Sequence, residues 1–420
     1  MSSVDYNNIT AVKKPNYGAV PTASPENVII EDEEATPDVF VLTPEEKGSN
    51  WTAYVHIVCV VVGSGTLGIP YALSQGGWCS LAVLLLSAVM SVYSNNKLIE
   101  SLYHDGKTRK LSMPELASDA FGKLAGQNFY KLFRNNVALR MEDWVYLCAA
   151  VMTVPFVLSK NMKEAAWISL FGVLTAILVV VIVSYSSVVD YPNHPNSEHD
   201  TINLRNIPIA MGTFSFGYGG NVVFPNVEAG MKDPSAWPKV NYSAIASVTL
   251  MYLLIGIPAY LTYGRQTLSP IYLSLPDGWT VTISIIMITA HVLLALTIYL
   301  TSICLEIEGR LGITVAKVGR RREFLYRTLL RSAAMVMVVW LAITAPYFAD
   351  VMALLGAMAN GLLVVVIPVS TWIKLFGWDQ LRGVYEKLWV VFVLIFASVG
   401  SFIGTSDAMI ALWNDITKND

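Results

Sequence analysis

The stretch "VVGSGTLGIP", residues 61–70, interrupts an apolar run that is otherwise long enough to cross a membrane. Inside a helix, glycine costs roughly 1 kcal/mol relative to alanine, and proline removes a backbone hydrogen-bond donor. Unpaired backbone groups are tolerated in a bilayer only where they are buried in protein or line a cavity. The stretch therefore predicts either a close helix-packing seam or a deliberate break in the first span.

The composition indicates an all-α polytopic membrane protein. Of the 420 residues, 54% are hydrophobic and 14% are charged, whereas a soluble protein carries roughly 25% charged residues. Apolar runs recur that are long enough to cross a hydrocarbon core of roughly 30 Å. Ten such runs predict helical spans: 51–72, 77–98, 144–162, 167–190, 207–228, 238–263, 280–306, 327–349, 351–374 and 385–410.

The distribution of Lys and Arg in the loops conflicts with ten spans. Basic loops face the cytoplasm, and they alternate cleanly with other loops from residue 164 onward. The basic loop 97–143 and the loop with Lys160 and Lys163, however, have only the span 144–162 between them. The sequence therefore predicts a chain one helix short of eleven, with the helix missing near residues 122–128 and the N-terminus in the cytoplasm.

A second interruption occurs in "GTFSFGYGGNVVFP", residues 212–225. If the missing helix is counted, this run is the sixth span, five spans after the first interrupted one. Two broken helices in corresponding positions are typical of an inverted five-plus-five repeat, in which released N–H and carbonyl groups bind substrate and ions. The predicted substrate-binding residues are therefore Gly63, Ser64, Gly65, Thr66, Phe214, Ser215, Phe216 and Gly217. The substrate carboxylate is predicted to meet N–H groups of residues 64–66, and its ammonium group the carbonyls of residues 214–217. Helix packing through small residues is the alternative.

Four blocks, in order, resemble the amino acid/auxin permease family. Residues 56–78 are similar to that family's first span, whose usual form is GxGxLxLPxA followed by Gly-Trp, and residues 216–240 are similar to its sixth span. Residues 262–276 and 346–368 continue the resemblance. It implies an amino acid transporter of the APC superfamily with the LeuT-type fold, an inverted five-plus-five repeat plus a last helix.

The resemblance also bears on the missing helix. In that family an Ala-Phe-Gly block precedes span three and a Gly-x-Asn element follows it. In this sequence the two elements, residues 120–122 and 126–128, are nearly adjacent. The resemblance therefore implies that span three is absent and that ten of eleven helices remain.

Polar residues within the spans are candidates for ion coupling, because ionisable groups there are costly. The candidate proton-coupling residues are His56, His291 and Glu228; for His56 the role is implied by the resemblance. For each histidine, the alternative is a structural hydrogen bond to a neighbouring group. For Glu228, the alternative is a gate at the inner mouth, formed by pairing with Lys232. Thr301 and Ser302 form a possible sodium site, as such a pair does in sodium-coupled relatives of the fold.

The prediction is a secondary active transporter of amino acids, most simply neutral ones, that is proton-coupled and works by alternating access. Sodium is the alternative coupling ion. Two other hypotheses remain open: an amino acid sensor that signals through its tail, and a non-transporting variant without span three. No motif indicates an enzyme, a cofactor, a metal site or nucleic-acid binding.

The predicted domains are an acidic cytoplasmic tail over 1–50, a transmembrane transporter domain over 51–410 and a short C-terminal tail over 411–420. Residues 1–50 hold nine Asp and Glu against three Lys and have no apolar core, so the segment is predicted to be disordered and not a signal peptide. The acidic tail and its "YGAV" motif, residues 17–20, favour a vacuolar or lysosomal membrane over the plasma membrane. Near Arg310, Glu306 and Glu308 predict a solvated ion-pair cluster.

Overall fold

The computed structural model describes residues 47–104, 152–154, 156–159, 163–276, 278–313, 315–344 and 362–418. Most of the predicted tail, most of the loop 97–143, most of the span 144–162 and the first part of the span 351–374 lie outside the described residues. So do the adjacent elements at residues 120–128, on which the prediction of a missing helix depends.

The described residues fold into helices joined by turns. Their helices are α1 (Asn50–Val61), α2 (Ile69–Gly76), α3 (Ser80–Leu102), α4 (Ala166–Asp190), α5 (Ile207–Gly217), α6 (Phe224–Ala229), α7 (Trp237–Tyr263), α8 (Trp279–Arg310), α9 (Val315–Val318), α10 (Arg320–Thr344), α11 (Ile367–Phe376) and α12 (Gly383–Lys418). One π-helical turn, Leu362–Val366, leads directly into α11.

The first predicted span is broken where the glycines interrupt it. The Ser49 side chain caps α1 by accepting a hydrogen bond from the Thr52 N–H. After α1 ends, a 3-10 turn over Ser64–Gly68 leads into α2, and the two halves are bent by 49°. Pro70 lies in the first turn of α2, where its missing N–H leaves no helical hydrogen bond unmade. The predicted break is confirmed.

The second interruption also breaks its helix. α5 ends at Gly217, residues 218–223 form turns, and α6 begins at Phe224 with Pro225 in its first turn. Gly220 has φ +157°, and a Cβ there would meet Val60 and Phe224 side chains at 3.0 and 3.1 Å. Glycine at this position therefore allows the chain to turn close against α1.

Five helices of the described residues are long and apolar enough to cross a membrane, or six if the bent pair α1–α2 counts as one span. The helical, polytopic fold class is thereby confirmed; the total number of spans stays a prediction. Helix ends differ from the predicted runs: α10 begins at Arg320 rather than 327, and α12 continues through Lys418. Apolarity marks only the part of a helix that faces hydrocarbon, so the predicted runs leave out polar helical ends. Residues 411–418, for example, continue the last helix.

Candidate functional site

The two broken helices meet at their glycines. A Cβ on Gly65 would lie 3.0 Å from both the Gly217 Cα and the Phe216 ring. A Cβ on Gly68 would lie 3.2 Å from the Thr213 methyl group. Two of the predicted substrate-binding stretches, residues 63–66 and 214–217, are therefore brought together by the fold.

One side chain joins the ends of both helices. Val61 is the last residue of α1 and Gly217 is the last residue of α5. The Tyr252 hydroxyl, from α7, donates to both carbonyl oxygens: it lies 3.1 Å from the Val61 oxygen and closer still to that of Gly217. Carbonyls at a helix C-terminus have no partner within the helix, so Tyr252 supplies one. Tyr252 was not predicted, because nothing in its local sequence indicates which backbone carbonyls its hydroxyl reaches.

His291, on α8, lies where α4 packs against α1. Its Nδ1 is 2.7 Å from the Gly172 carbonyl oxygen in α4, and because a carbonyl only accepts, Nδ1 carries the hydrogen. A Cβ on Gly172 would lie 3.7 Å from this Nδ1 and 2.5 Å from the Sγ of Cys59 in α1, so His291 and the last turns of α1 meet α4 at the same point. Nε2 is buried and has no hydrogen-bond partner among the described residues.

His56 contacts the same face of α4. Its Nδ1 lies 2.5 Å from the Ser169 hydroxyl, one turn of α4 before Gly172. A Cβ on Gly172 would stand 2.5 Å from the Cys59 Sγ, so α1 and α4 are in close contact between the two histidines. The structure thus places two of the three predicted proton-coupling residues against successive turns of α4, His56 from α1 and His291 from α8.

The predicted ammonium-binding carbonyls of α5 already have partners. The Tyr218 N–H donates to the Phe214 carbonyl over 3.0 Å, and the Gly219 N–H donates to the Phe216 carbonyl over 3.1 Å. Among the predicted carboxylate-binding N–H groups, that of Thr66 donates to the Gly63 carbonyl over 3.1 Å. Each of these bonds lies within one broken helix, so a substrate bound at the breaks would compete with local backbone partners for these groups.

The possible sodium site at Thr301 and Ser302 stays a prediction. Thr301 is buried, and its hydroxyl has no hydrogen-bond partner among the described residues. The Ser302 carbonyl accepts a hydrogen bond from Asn226 of α6 over 3.1 Å. Just before this pair on α8, the Tyr299 hydroxyl donates to the Val60 carbonyl of α1 over 3.4 Å, so this part of α8 lies against both broken helices.

Glu228, the third predicted proton-coupling residue, lies away from the breaks at the end of α6. Its carboxylate is buried and accepts a hydrogen bond from the Tyr103 hydroxyl. Nearby, the Gly48 N–H donates to the Gly230 carbonyl over 2.7 Å, and the Lys232 N–H donates to the Gly48 carbonyl over 2.9 Å. Gly48, two residues before α1, is thus hydrogen-bonded to the loop that follows α6. These bonds join the two broken helices at a second point.

One of the two acidic residues near Arg310 has a partner that the sequence did not predict. Glu306 does pair with Arg310, at 2.6 Å. Glu308 instead pairs with the fully buried Arg331 of α10 at 2.8 Å. Arg331 also donates to the carbonyls of Phe156 and Ser159. This buried pair connects α8, α10 and the segment 156–159.

Helices long and apolar enough to cross a membrane, together with two broken helices that meet at their breaks, are features of many transporter folds. The comparison with protein families agrees: the family described as "Transmembrane amino acid transporter protein" matches residues 46–127 and 120–411. The chain belongs to this family of transporters, so it is an integral membrane protein of amino acid transport.

Relatives with curated names are amino acid transporters. The amino acid transporter AVT1H of Arabidopsis thaliana is 25% identical, over 88% of this chain and 92% of its own length. The vesicular inhibitory amino acid transporter of Xenopus laevis is 24% identical, over 86% of this chain and 77% of its own. Among solved structures, a Na+-coupled sialic acid symporter in a substrate-bound outward-open state has a TM-score of 0.48 and 12% identity, over 87% of this chain and 90% of that one.

Proposed function

We propose that this protein is a proton-coupled secondary transporter of neutral amino acids that works by alternating access. The observation that carries the proposal is the position of His291, a titratable side chain of α8 that contacts α4 at Gly172, where Cys59 near the broken end of α1 also packs. Imidazole is the side chain whose charge changes near neutral pH. Protonation of His291 would strengthen its attraction to the end of α1 and so couple a proton to the position of the broken helix.

Uptake of a labelled neutral amino acid into proteoliposomes tests the coupling. We expect an imposed pH gradient to drive uptake and a sodium gradient alone not to drive it. His291→Gln keeps a hydrogen-bond donor but cannot titrate, so this variant should exchange amino acids without responding to the pH gradient. His199→Gln is the matched control, since His199 contacts the Tyr260 and Leu261 carbonyls, away from the breaks. Uptake by His291→Gln that still follows the pH gradient would contradict the proposal, as would uptake driven by sodium.

The preference for neutral substrates is supported by the residues at the breaks. The segments 62–68 and 212–223 contain no Asp, Glu, Lys or Arg, and a charged substrate side chain would meet no fixed counter-charge from them. We expect excess alanine or leucine to compete with the labelled substrate, and lysine or glutamate not to compete. Competition by lysine equal to that by alanine would argue against this preference.

We place the transporter in the membrane of an acidic organelle, with its N-terminus in the cytoplasm. Support comes from the acidic tail, from "YGAV" at residues 17–20 and from the vesicular transporter among its relatives. Imaging of a tagged full-length chain and of Tyr17→Ala tests this: the variant should move to the plasma membrane. A wild-type chain found at the plasma membrane would contradict the placement.

A second candidate function, a non-transporting variant without span three, is favoured by the pattern of the matches. The two matched segments of the family meet at residues 120–127. The alignment with AVT1H has 403 positions but uses 88% of a 420-residue chain, so it contains positions for which this chain has no residue. Transcripts sequenced across the codons for Phe121 to Tyr130 test this candidate. A longer message with about 20 or more extra apolar residues, enough for a span, would assign transport to that longer form.

The sensor hypothesis makes a different prediction. The tail of a sensor should capture cytosolic partners only when an amino acid is present, whether or not the chain transports. Capture that is independent of amino acids would leave transport as the better hypothesis.

A further inference from the structure

Two helix ends of the same polarity converge on the Tyr252 hydroxyl. Val61 and Gly217 are the C-terminal residues of α1 and α5, and each helix end carries roughly half a negative charge. Bringing two such ends together is unfavourable unless a hydrogen-bond donor or a cation lies between them. Here the donor is the hydroxyl of a fully buried tyrosine.

The surroundings of Tyr252 fix the position of its ring. Tyr218 packs edge-on against it with ring centroids 5.3 Å apart, and the Tyr218 hydroxyl is held by Thr249 at 2.8 Å. A Cβ on Gly217 would lie 3.4 Å from the Tyr252 ring and hydroxyl, so the phenol fills the space beside the second break. No charged side chain of the described residues takes part in these contacts.

The hydroxyl has one hydrogen for two acceptors. Val61 has a second donor, because its carbonyl also accepts from the Gly63 N–H over 2.8 Å, whereas the Gly217 carbonyl has Tyr252 as its side-chain donor. The hydroxyl therefore contributes most to the end of α5, the half-helix whose carbonyls are predicted to face the substrate.

We propose that Tyr252 is a positioning residue that holds the ends of the two broken helices together in the role of a bound cation, so that amino acid binding requires no sodium ion. The inference rests on the proposed function and deepens it, because it assigns the groups that organise the substrate site. It differs from the proton-coupling role of His291, since Tyr252 lies on another helix and contacts other carbonyls.

Binding of a labelled neutral amino acid to the full-length chain in detergent, in sodium chloride and in choline chloride, tests the inference. Tyr252→Phe removes only the hydroxyl, and we expect about tenfold weaker binding, the loss of one hydrogen bond that orders the site. Tyr260→Phe is the matched control: it lies on the same helix, is equally buried, and contacts Asp200 outside the breaks. It should bind as wild type does, and wild-type binding should be the same in both salts.

Thermal unfolding of both variants separates a positioning role from a general loss of structure. The inference holds if Tyr252→Phe unfolds within a few degrees of Tyr260→Phe yet binds more weakly, because a merely structural hydroxyl would change both variants alike. It is overturned if Tyr252→Phe binds as tightly as wild type, or if wild-type binding depends on sodium. If wild type binds no amino acid in either salt, the proposed function fails instead.

Discussion

Gly65 of the first broken helix and Gly217 of the second are in backbone contact, with room for no side chain between them: a Cβ on Gly65 would lie 3.0 Å from the Gly217 Cα. Real Cβ atoms rarely approach backbone so closely, and neither helix end can give way without moving its partner. This contact explains why the interruption in residues 61–70 requires glycine at this position.

Gly65→Ala is therefore expected to force the two breaks apart. We expect substrate uptake to fall by about tenfold or more, a factor that corresponds to a free-energy change of roughly 1.4 kcal/mol. Gly212→Ala in α5 is the control, since a Cβ there would meet nothing within 4 Å. Uptake by Gly65→Ala at the wild-type rate would show that the contact is unimportant for transport.

Gly172→Ala should separate α1 from α4 between the two histidines. The added Cβ would stand 2.5 Å from the Cys59 Sγ, and overpacking of this kind costs about 1–3 kcal/mol. Thermal unfolding in detergent should show a lower midpoint for this variant. Adding Cys59→Ala removes the clashing sulfur, so the double variant should recover much of the lost stability. If Cys59→Ala gives no recovery, the clash is not the cause.

The buried pair of Glu308 and Arg331 should be sensitive to the loss of one partner. Glu308→Gln leaves the fully buried Arg331 without its counter-charge, at an expected cost of about 3–5 kcal/mol. The control is Glu306→Gln, which breaks the pair with the half-exposed Arg310 and should cost less than about 1 kcal/mol. Chemical denaturation of both variants measures their free energies of unfolding. An equal decrease in the two variants would contradict the larger contribution expected of the buried pair.

The pair of Asp200 and Arg265 should persist at mildly acidic pH. Hydrogen bonds from Arg265, at 2.9 Å from Nε, hold the Asp200 pKa below its usual 3.8. Because the folded-state pKa is lowered, the pair stabilises the fold at every pH above the unfolded value and loses this effect as pH falls through the folded value. The difference in unfolding temperature between wild type and Asp200→Asn should thus be constant from about pH 7.5 to about pH 5 and shrink only below about pH 4. A difference that already disappears at about pH 5 would contradict the assignment.

Much of the fold could be predicted from the sequence, because its signals are local. The interruptions at residues 61–70 and 212–225 follow from glycine and proline chemistry, and both helices break there. The predicted run 167–190 differs from α4 (Ala166–Asp190) by one residue. Polar helix ends were missed, as at Arg320, because hydropathy does not register them.

The candidate site was predicted in part. Residues 63–66 and 214–217 come together as expected, and His56 and His291 share one face of α4. Tyr252 and Arg331 were missed, since a tyrosine in an apolar run and an arginine near a basic loop are ordinary in sequence. The partners of Tyr252 lie 35 and 191 residues away from it in the sequence. Glu308 lies 23 residues before Arg331.

The sequence by itself determined that this protein is a helical membrane protein with two broken spans, because apolar length and backbone propensity act over a few neighbouring residues. Only the tertiary structure decided which side chains meet the carbonyls around the breaks: Tyr252 donates to Val61 and Gly217, and His291 to Gly172 of α4, beside α1. Those contacts depend on how α7 and α8 pack against the breaks. Packing of distant helices is a property of the whole bundle, and no local stretch encodes it.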